Sequence, residues 1–140
     1  MAISKRPERL VVDANPILAA LLGGKARRIF FETPIQEFAV PEATIREVRG
    51  YLPRLVLKLG VGRAVIENAF ELLPLTPYTG RTYRKSVAEA VDRIGRRDPK
   101  DVDVLALALH LGVPIWSNDR DFEEAATNCF TTARLLAMFF

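Results

Sequence analysis

Four acidic residues in this chain of 140 fall where a strand or a helix would present a carboxylate. Asp13 ends the apolar run Leu10-Val11-Val12, and Glu47 lies in the helical stretch Pro41 to Val48. Asp101 opens the apolar stretch Val102 to Leu111, and Asp119 follows the strand-like Pro114-Ile115-Trp116-Ser117. Carboxylates at the ends of separate elements converge only where something offsets their repulsion, and the usual agent is a divalent cation. Two cations so held, roughly 4 Å apart, clamp the attacking and leaving oxygens of an in-line phosphoryl displacement, which points to metal-assisted phosphodiester chemistry. Hard ions such as Mg²⁺ or Mn²⁺ take carboxylate and water oxygens. One His and one Cys leave no nitrogen and sulfur donor set for zinc.

Positioning these acids requires strands and helices in alternation, and the pattern supplies them. Arg9 to Asp13 reads as a buried strand. A helix begins at Asn15-Pro16 and runs over Ile17 to Leu22, because Pro is tolerated in a first turn. Gly23-Gly24 stops it. Lys25 to Thr33 reads as a short helix and Ile35 to Val40 as a strand. A longer helix starts at Pro41-Glu42, with Ile45, Val48, Tyr51 and Leu52 at helical spacing. Pro53 is expected to kink or interrupt it before Leu55 to Leu59. Ala64 to Leu73 is helical, and Leu72 to Leu75 is an edge segment because of Pro74. Thr82 to Arg96 predicts one amphipathic helix burying Tyr83, Val87, Ala90, Val91 and Ile94. Asp98-Pro99-Lys100 makes a turn. Asp101 to Leu111 is a largely apolar, central helix capped by Gly112. Val113 to Ser117 is a strand, Asp119 to Ala126 a short helix, Asn128 to Thr131 a strand and Thr132 to Phe139 a helix.

Short apolar strands alternating with helices define an α/β fold, with a central, mainly parallel sheet flanked by helices. In such sheets ligands sit beyond the carboxyl ends of the strands, where Asp13 and Asp119 both fall. No repeat or Gly/Ser linker divides the chain. It is read as a single domain over residues 1–140, with a core from about 9 to 137.

Composition bounds the partners. Twenty basic and 17 acidic residues give +3; with four acids assigned to a cation, the rest carry 20 − 13 = +7. A basic surface around an acidic cleft suits a polyanion. No apolar run approaches the roughly 20 residues of a membrane span, and no signal peptide is expected at the N-terminus. The single Cys129 forms no internal disulfide, which makes a reducing cytoplasm the expected location.

The order of motifs resembles the PIN domain family. It runs Val12-Asp13-Ala14-Asn15, then Thr44-Ile45-Arg46-Glu47, then Asp98-Pro99-Lys100-Asp101 leading into Val104-Leu105-Ala106-Leu107-Ala108, then Trp116-Ser117-Asn118-Asp119-Arg120-Asp121-Phe122. The likeness covers Leu10 to about Leu136. It implies a Mg²⁺- or Mn²⁺-dependent ribonuclease in which a water attacks phosphorus and leaves a 5′-phosphate and a 3′-hydroxyl. By the same resemblance, the catalytic and metal-holding quartet is Asp13, Glu47, Asp101 and Asp119. Asn15 and Ser117 match supporting polar positions, and Asp121 an accessory acid. Asp98, Asp101 and Asp103 compete for the third place. Spacing favours Asp101, and Asp103 stands about 200° round the helix from it. Many small members are toxins of VapBC-type toxin–antitoxin pairs, so an antitoxin partner and a homodimer are expected beside the RNA substrate. The alternative is a catalytically silent PIN-fold module that binds RNA or serves in assembly. A phosphoacceptor receiver domain would need a mid-chain Asp, and Pro53 to Gly60 has none.

Each residue also has a purely structural reading. Asp13 and Asn15 suit a strand-end turn and helix cap. Thr44-x-x-Glu47 is a capping-box pattern, weakened because Pro41 starts the helix earlier. Asp101 and Asp119 lie where helix dipoles favour acids. His110 suits a helix end, and Cys129 a small half-buried filler. Lys25, Arg27 and Arg28, and Arg93, Arg96, Arg97 and Lys100, are either RNA-backbone contacts or solvated faces. Leu135, Leu136, Met138, Phe139 and Phe140 either close the core or cover a subunit interface.

Overall fold

The computed structural model describes residues 5–95, 99–125 and 128–140. Five parallel strands form one sheet in the order β3-β2-β1-β4-β5. They are β1 (Arg9–Val12), β2 (Glu37–Pro41), β3 (Leu75–Tyr78), β4 (Ile115–Trp116) and β5 (Cys129–Phe130). Among the described residues the helices are α1 (Ala14–Leu21), α2 (Ala26–Glu32), α3 (Glu42–Leu59), α4 (Arg63–Leu72), α5 (Val87–Ala90), α6 (Asp101–Leu111), α7 (Arg120–Ala125) and α8 (Thr132–Phe139).

The strands alternate between two cores. Leu10, Val12, Phe38, Val40, Trp116 and Phe130 pack with α1, α2, α3, α4 and α8 on one face. Val11, Ala39 and Ile115 pack with α6 and the Tyr83–Ile94 segment on the other. A strand buried on both sides has no polar face to show, so β1 and β2 read as continuous apolar runs. The rings of Phe30, Phe38 and Trp116 meet at centroid distances of 4.8, 4.8 and 5.9 Å. The buried indole N–H of Trp116 donates to Thr132 Oγ1 at 3.0 Å.

The chain builds β1, β2 and β3 outward on one side, then returns to lay β4 and β5 on the other. The strand order therefore reverses between β1 and β4. A crevice opens at such a switch point, at the carboxyl ends of the two strands. Asp13 follows one end and Ser117 the other.

Five elements differ from the sequence reading. α3 runs unbroken through Pro53. That residue is exposed, so the carbonyl it leaves unbonded faces water. The edge strand is Leu75–Tyr78 rather than Leu72 to Leu75, and its Pro77 is tolerated because the outer side needs no ladder donor. β4 and β5 shrink to two residues each, although flanking backbone bonds such as Val11 N–H to Pro114 O, 2.9 Å, continue the ladder. The helix expected over Thr82 to Arg96 is a composite: a 3₁₀ turn at Arg84–Ser86, α5, then a wide π turn at Val91–Gly95. The wide turn changes the residue period. Tyr83, Ala90 and Ile94 stay buried while Val91 turns out, 44% exposed. Arg96, Arg97, Asp98 and Ala126 lie outside the described residues.

Candidate metal centre

The centre is built from the loops that follow β1 and β4. Asp13 keeps extended backbone while Ala14 turns helical, so its carboxylate sits at the start of α1. Oδ1 accepts the Ala14 N–H at 2.8 Å, and Oδ2 accepts the Ser117 hydroxyl at 2.7 Å. Both residues are buried. The same Ser117 Oγ accepts the Asp119 N–H at 3.0 Å. One hydroxyl thus ties the two strand-end acids together. Asn15 Oδ1 accepts the Asn118 N–H at 3.3 Å, and Asn118 Oδ1 accepts the Thr132 N–H at 2.9 Å. The loop after β4 is pinned from both sides.

Asp119 Oδ1 accepts the Asp121 N–H at 2.9 Å, forming the turn into α7. That turn brings Asp121 round beside Asp119. Asp101 comes in on the first turn of α6, 5% exposed, with its Oδ2 sealed from solvent. One carboxylate oxygen from each of Asp101, Asp119 and Asp121 lies within 4.8 Å of the others.

Magnitudes decide how to read this cluster. Two carboxylates at that spacing repel by about 3–4 kcal/mol near a protein surface. An acid in a helix first turn gains only about 0.3–1 kcal/mol from the dipole. The helix starts therefore help to place Asp101 and Asp121 but do not offset three mutual repulsions. A divalent cation would, and an all-oxygen set suits Mg²⁺ or Mn²⁺ rather than zinc.

Glu47 is not a member of this triad. It is half-buried on α3 and lines an adjoining cleft of about 610 Å³. Arg46, Gly50, Tyr51 and Arg54 share its wall, and Lys100 and Asp103 face them from the start of α6. Thr44 and Glu47 do not form a capping box, because α3 begins at Glu42 and Thr44 is buried within it. Asp103 is not in the carboxylate triad. Its Oδ1 accepts the hydroxyl of buried Tyr83 at 2.6 Å. Burial, and then that bond to a carboxylate, push the Tyr83 phenol well above its ordinary range. Tyr83 read as core filler in the sequence, and its link to Asp103 had no sequence signal. The stripe Arg46, Glu47, Gly50, Tyr51, Arg54 did have one, its helical spacing.

The remaining candidates lie outside the carboxylate triad. Burial pushes the Cys129 thiol up to about 11, which suits a filler and not a nucleophile. His110 is exposed in the last turn of α6. Arg28 bonds Glu32 at 3.4 Å and covers the Phe140 ring at 3.9 Å, while Arg93 bonds Glu89 at 2.8 Å. Leu135 is fully buried, and Leu136, Met138 and Phe139 pack on the first core.

Residues 11–139 match the family model of the PIN domain. The chain belongs to the PIN domain family, whose members are generally nucleases acting on phosphodiester bonds. Comparison with curated proteins gives no match. No described helix is long and apolar enough to cross a membrane.

Proposed function

We propose that this chain is a metal-dependent endoribonuclease whose site is Asp13, Glu47, Asp101 and Asp119, supported by Asn15, Ser117, Asp121 and Asp103. The observation that carries the reading is the meeting of three carboxylates within 4.8 Å at the switch point of a PIN-family sheet. Asp101, Asp119 and Asp121 would hold Mg²⁺ or Mn²⁺, with Asp13 set beside them by Ser117. When bound, the ion supplies positive charge against the phosphodiester and lowers the pKa of the attacking water.

The chain's own groups do the positioning. Ser117 donates to Asp13 and so aims that carboxylate. The Asp121 N–H fixes one oxygen of Asp119 and so orients that carboxylate. Glu47 contributes the acid on the wall of the adjoining cleft, the side from which a strand of RNA approaches. Water oxygen bonds to phosphorus, the P–O3′ bond breaks, and a proton ends on the leaving oxygen. The products are a 5′-phosphate and a 3′-hydroxyl.

The same reading makes the chain the toxin of a VapBC-type pair in the cytoplasm, acting as a homodimer restrained by an antitoxin. The support is its resemblance to small PIN toxins. A short adjacent reading frame whose product binds this chain and stops its activity would bear that out, and an adjacent frame whose product leaves activity unchanged would not.

The enzymatic claim is tested by incubating end-labelled structured RNA with wild type, Asp13→Asn and Asp119→Asn, in Mg²⁺, in Mn²⁺ and in EDTA. Cleavage by the wild type alone, needing metal and leaving 5′-phosphates, is expected. Cleavage that survives EDTA or both substitutions would overturn the site, and folded wild type that cuts nothing would overturn the enzyme.

A further inference from the structure

α3 shows two faces of different chemistry. Thr44, Val48, Leu52 and Leu55 are buried in the core. Arg46, Glu47, Gly50, Tyr51 and Arg54 recur at intervals of one, three and four, so they form one stripe along the cleft beside the carboxylates. From Arg46 to Arg54 this stripe spans about 12 Å at 1.5 Å per residue. Lys100 lines the opposite wall, one residue before Asp101.

Three features of the cleft point to one kind of occupant. Its cations, Arg46, Arg54 and Lys100, outnumber its acids, Glu47 and Asp103. Tyr51 is half-buried in the wall, with the Arg54 guanidinium carbon 5.0 Å from its ring centroid. Such a pair is a ready platform for a flat ring carrying negative charge on one side. Gly50, in the middle of α3, is the third. A Cβ there would meet no protein atom within 4 Å, so nothing in the fold itself calls for glycine. Glycine in an exposed helix costs stability, and its bare backbone leaves the cleft floor open to close approach.

We propose that this cleft is a single-strand subsite, in which one unpaired nucleobase stacks on Tyr51 and Arg54 while the phosphates beside it meet Arg46 and Lys100. The proposal rests on the nuclease reading for its polyanion, and it adds where the strand lies and why it must be unpaired. A base within a duplex has both faces covered by its neighbours and cannot use the platform.

The test is fluorescence anisotropy with a labelled single-stranded RNA, and with the same strand annealed to its complement. The protein is the full chain carrying Asp119→Asn, so that nothing is cut, in Mg²⁺ buffer. Adding Tyr51→Ala should weaken single-strand binding about 5- to 150-fold, the range for one lost base stack. Tyr51→Phe should restore it, because the ring is kept. Gly50→Leu should weaken it similarly by filling the floor, with a melting temperature no lower than that of the parent. The duplex should bind weakly and ignore all three changes. Parent-like binding by Tyr51→Ala and Gly50→Leu would overturn the subsite, as would equal losses for strand and duplex. Polyglutamate competing as well as RNA would overturn it too, by making the cleft a dock for acidic protein. The two readings fail separately. Tyr51-dependent binding with no cleavage by the wild-type chain would sink the nuclease alone. Metal-dependent cleavage with kcat/KM unchanged by Tyr51→Ala and Gly50→Leu would sink the subsite alone.

Discussion

Ser117 is where the two strand-end acids become one unit, because its buried hydroxyl donates to Asp13 and accepts from the Asp119 backbone. Ser117→Ala removes both bonds at once. A bond to a charged group is worth about 1.5–3 kcal/mol, so chemical denaturation should show a loss of that order and cleavage should fall with it. Unchanged stability would mean that Asp13 is held by other partners. Tyr83 yields a pH prediction. Its folded-state pKa is raised above the ordinary 10.0 by burial and by Asp103. The folded chain therefore keeps this proton more tightly than the unfolded one. That contribution is complete below about pH 10 and is lost as pH rises beyond it. Tyr83→Phe should flatten the fall in stability above pH 10, and an equal fall in both proteins would discount the phenol. At this scale the sequence showed Asp13, Asp101 and Asp119, because each closes or opens an element. It gave Asp121 only as an accessory acid, by resemblance; the meeting of Asp121 with Asp101 and Asp119 depends on a turn made through Asp119 Oδ1.

α3 carries core, cleft and exposed faces in 18 residues, and Gly50 lies on the cleft side. Gly50→Ala should stabilise the fold by about 0.5–1 kcal/mol, because the added methyl meets open space and the unfolded chain loses freedom. Thermal melting checks the sign, and a lower midpoint would mean that the glycine serves the fold itself. The helices with strong apolar periodicity were legible, as was the end of α6 at Gly112, which has positive φ. The composite segment around α5 was not. Its residues alternate in polarity much as a regular helix would, so the pattern carries no mark of the wide turn. The two-residue strands were read too long for a related reason. Their backbone bonds extend past the residues that qualify as strand.

Across the whole molecule the strand order does the work of bringing distant acids together. Ser117 and Asp13 are 104 residues apart in sequence, yet they are 2.7 Å apart at the switch point. The alternation of strands and helices made a parallel sheet readable, and with it the end at which ligands bind. The order of the strands was not readable from alternation, so Glu47 entered the quartet by resemblance alone, and the structure sets it on the wall of the adjoining cleft. A net charge of +3 around an acidic centre predicts RNA affinity that falls steeply with salt, measurable as the slope of log Kd against log salt. A flat slope would remove the phosphate contacts from the account.

The central claim is that the acids at the switch point hold a divalent cation. The most direct measurement is calorimetric titration of Mn²⁺ into the metal-free chain and into Asp101→Asn, with the fold of both checked by circular dichroism. The account predicts saturable binding by the wild type and at least about a tenfold loss in the variant, equivalent to about 1.4 kcal/mol. Equal affinity in the two proteins, or no binding by the folded wild type, would contradict it.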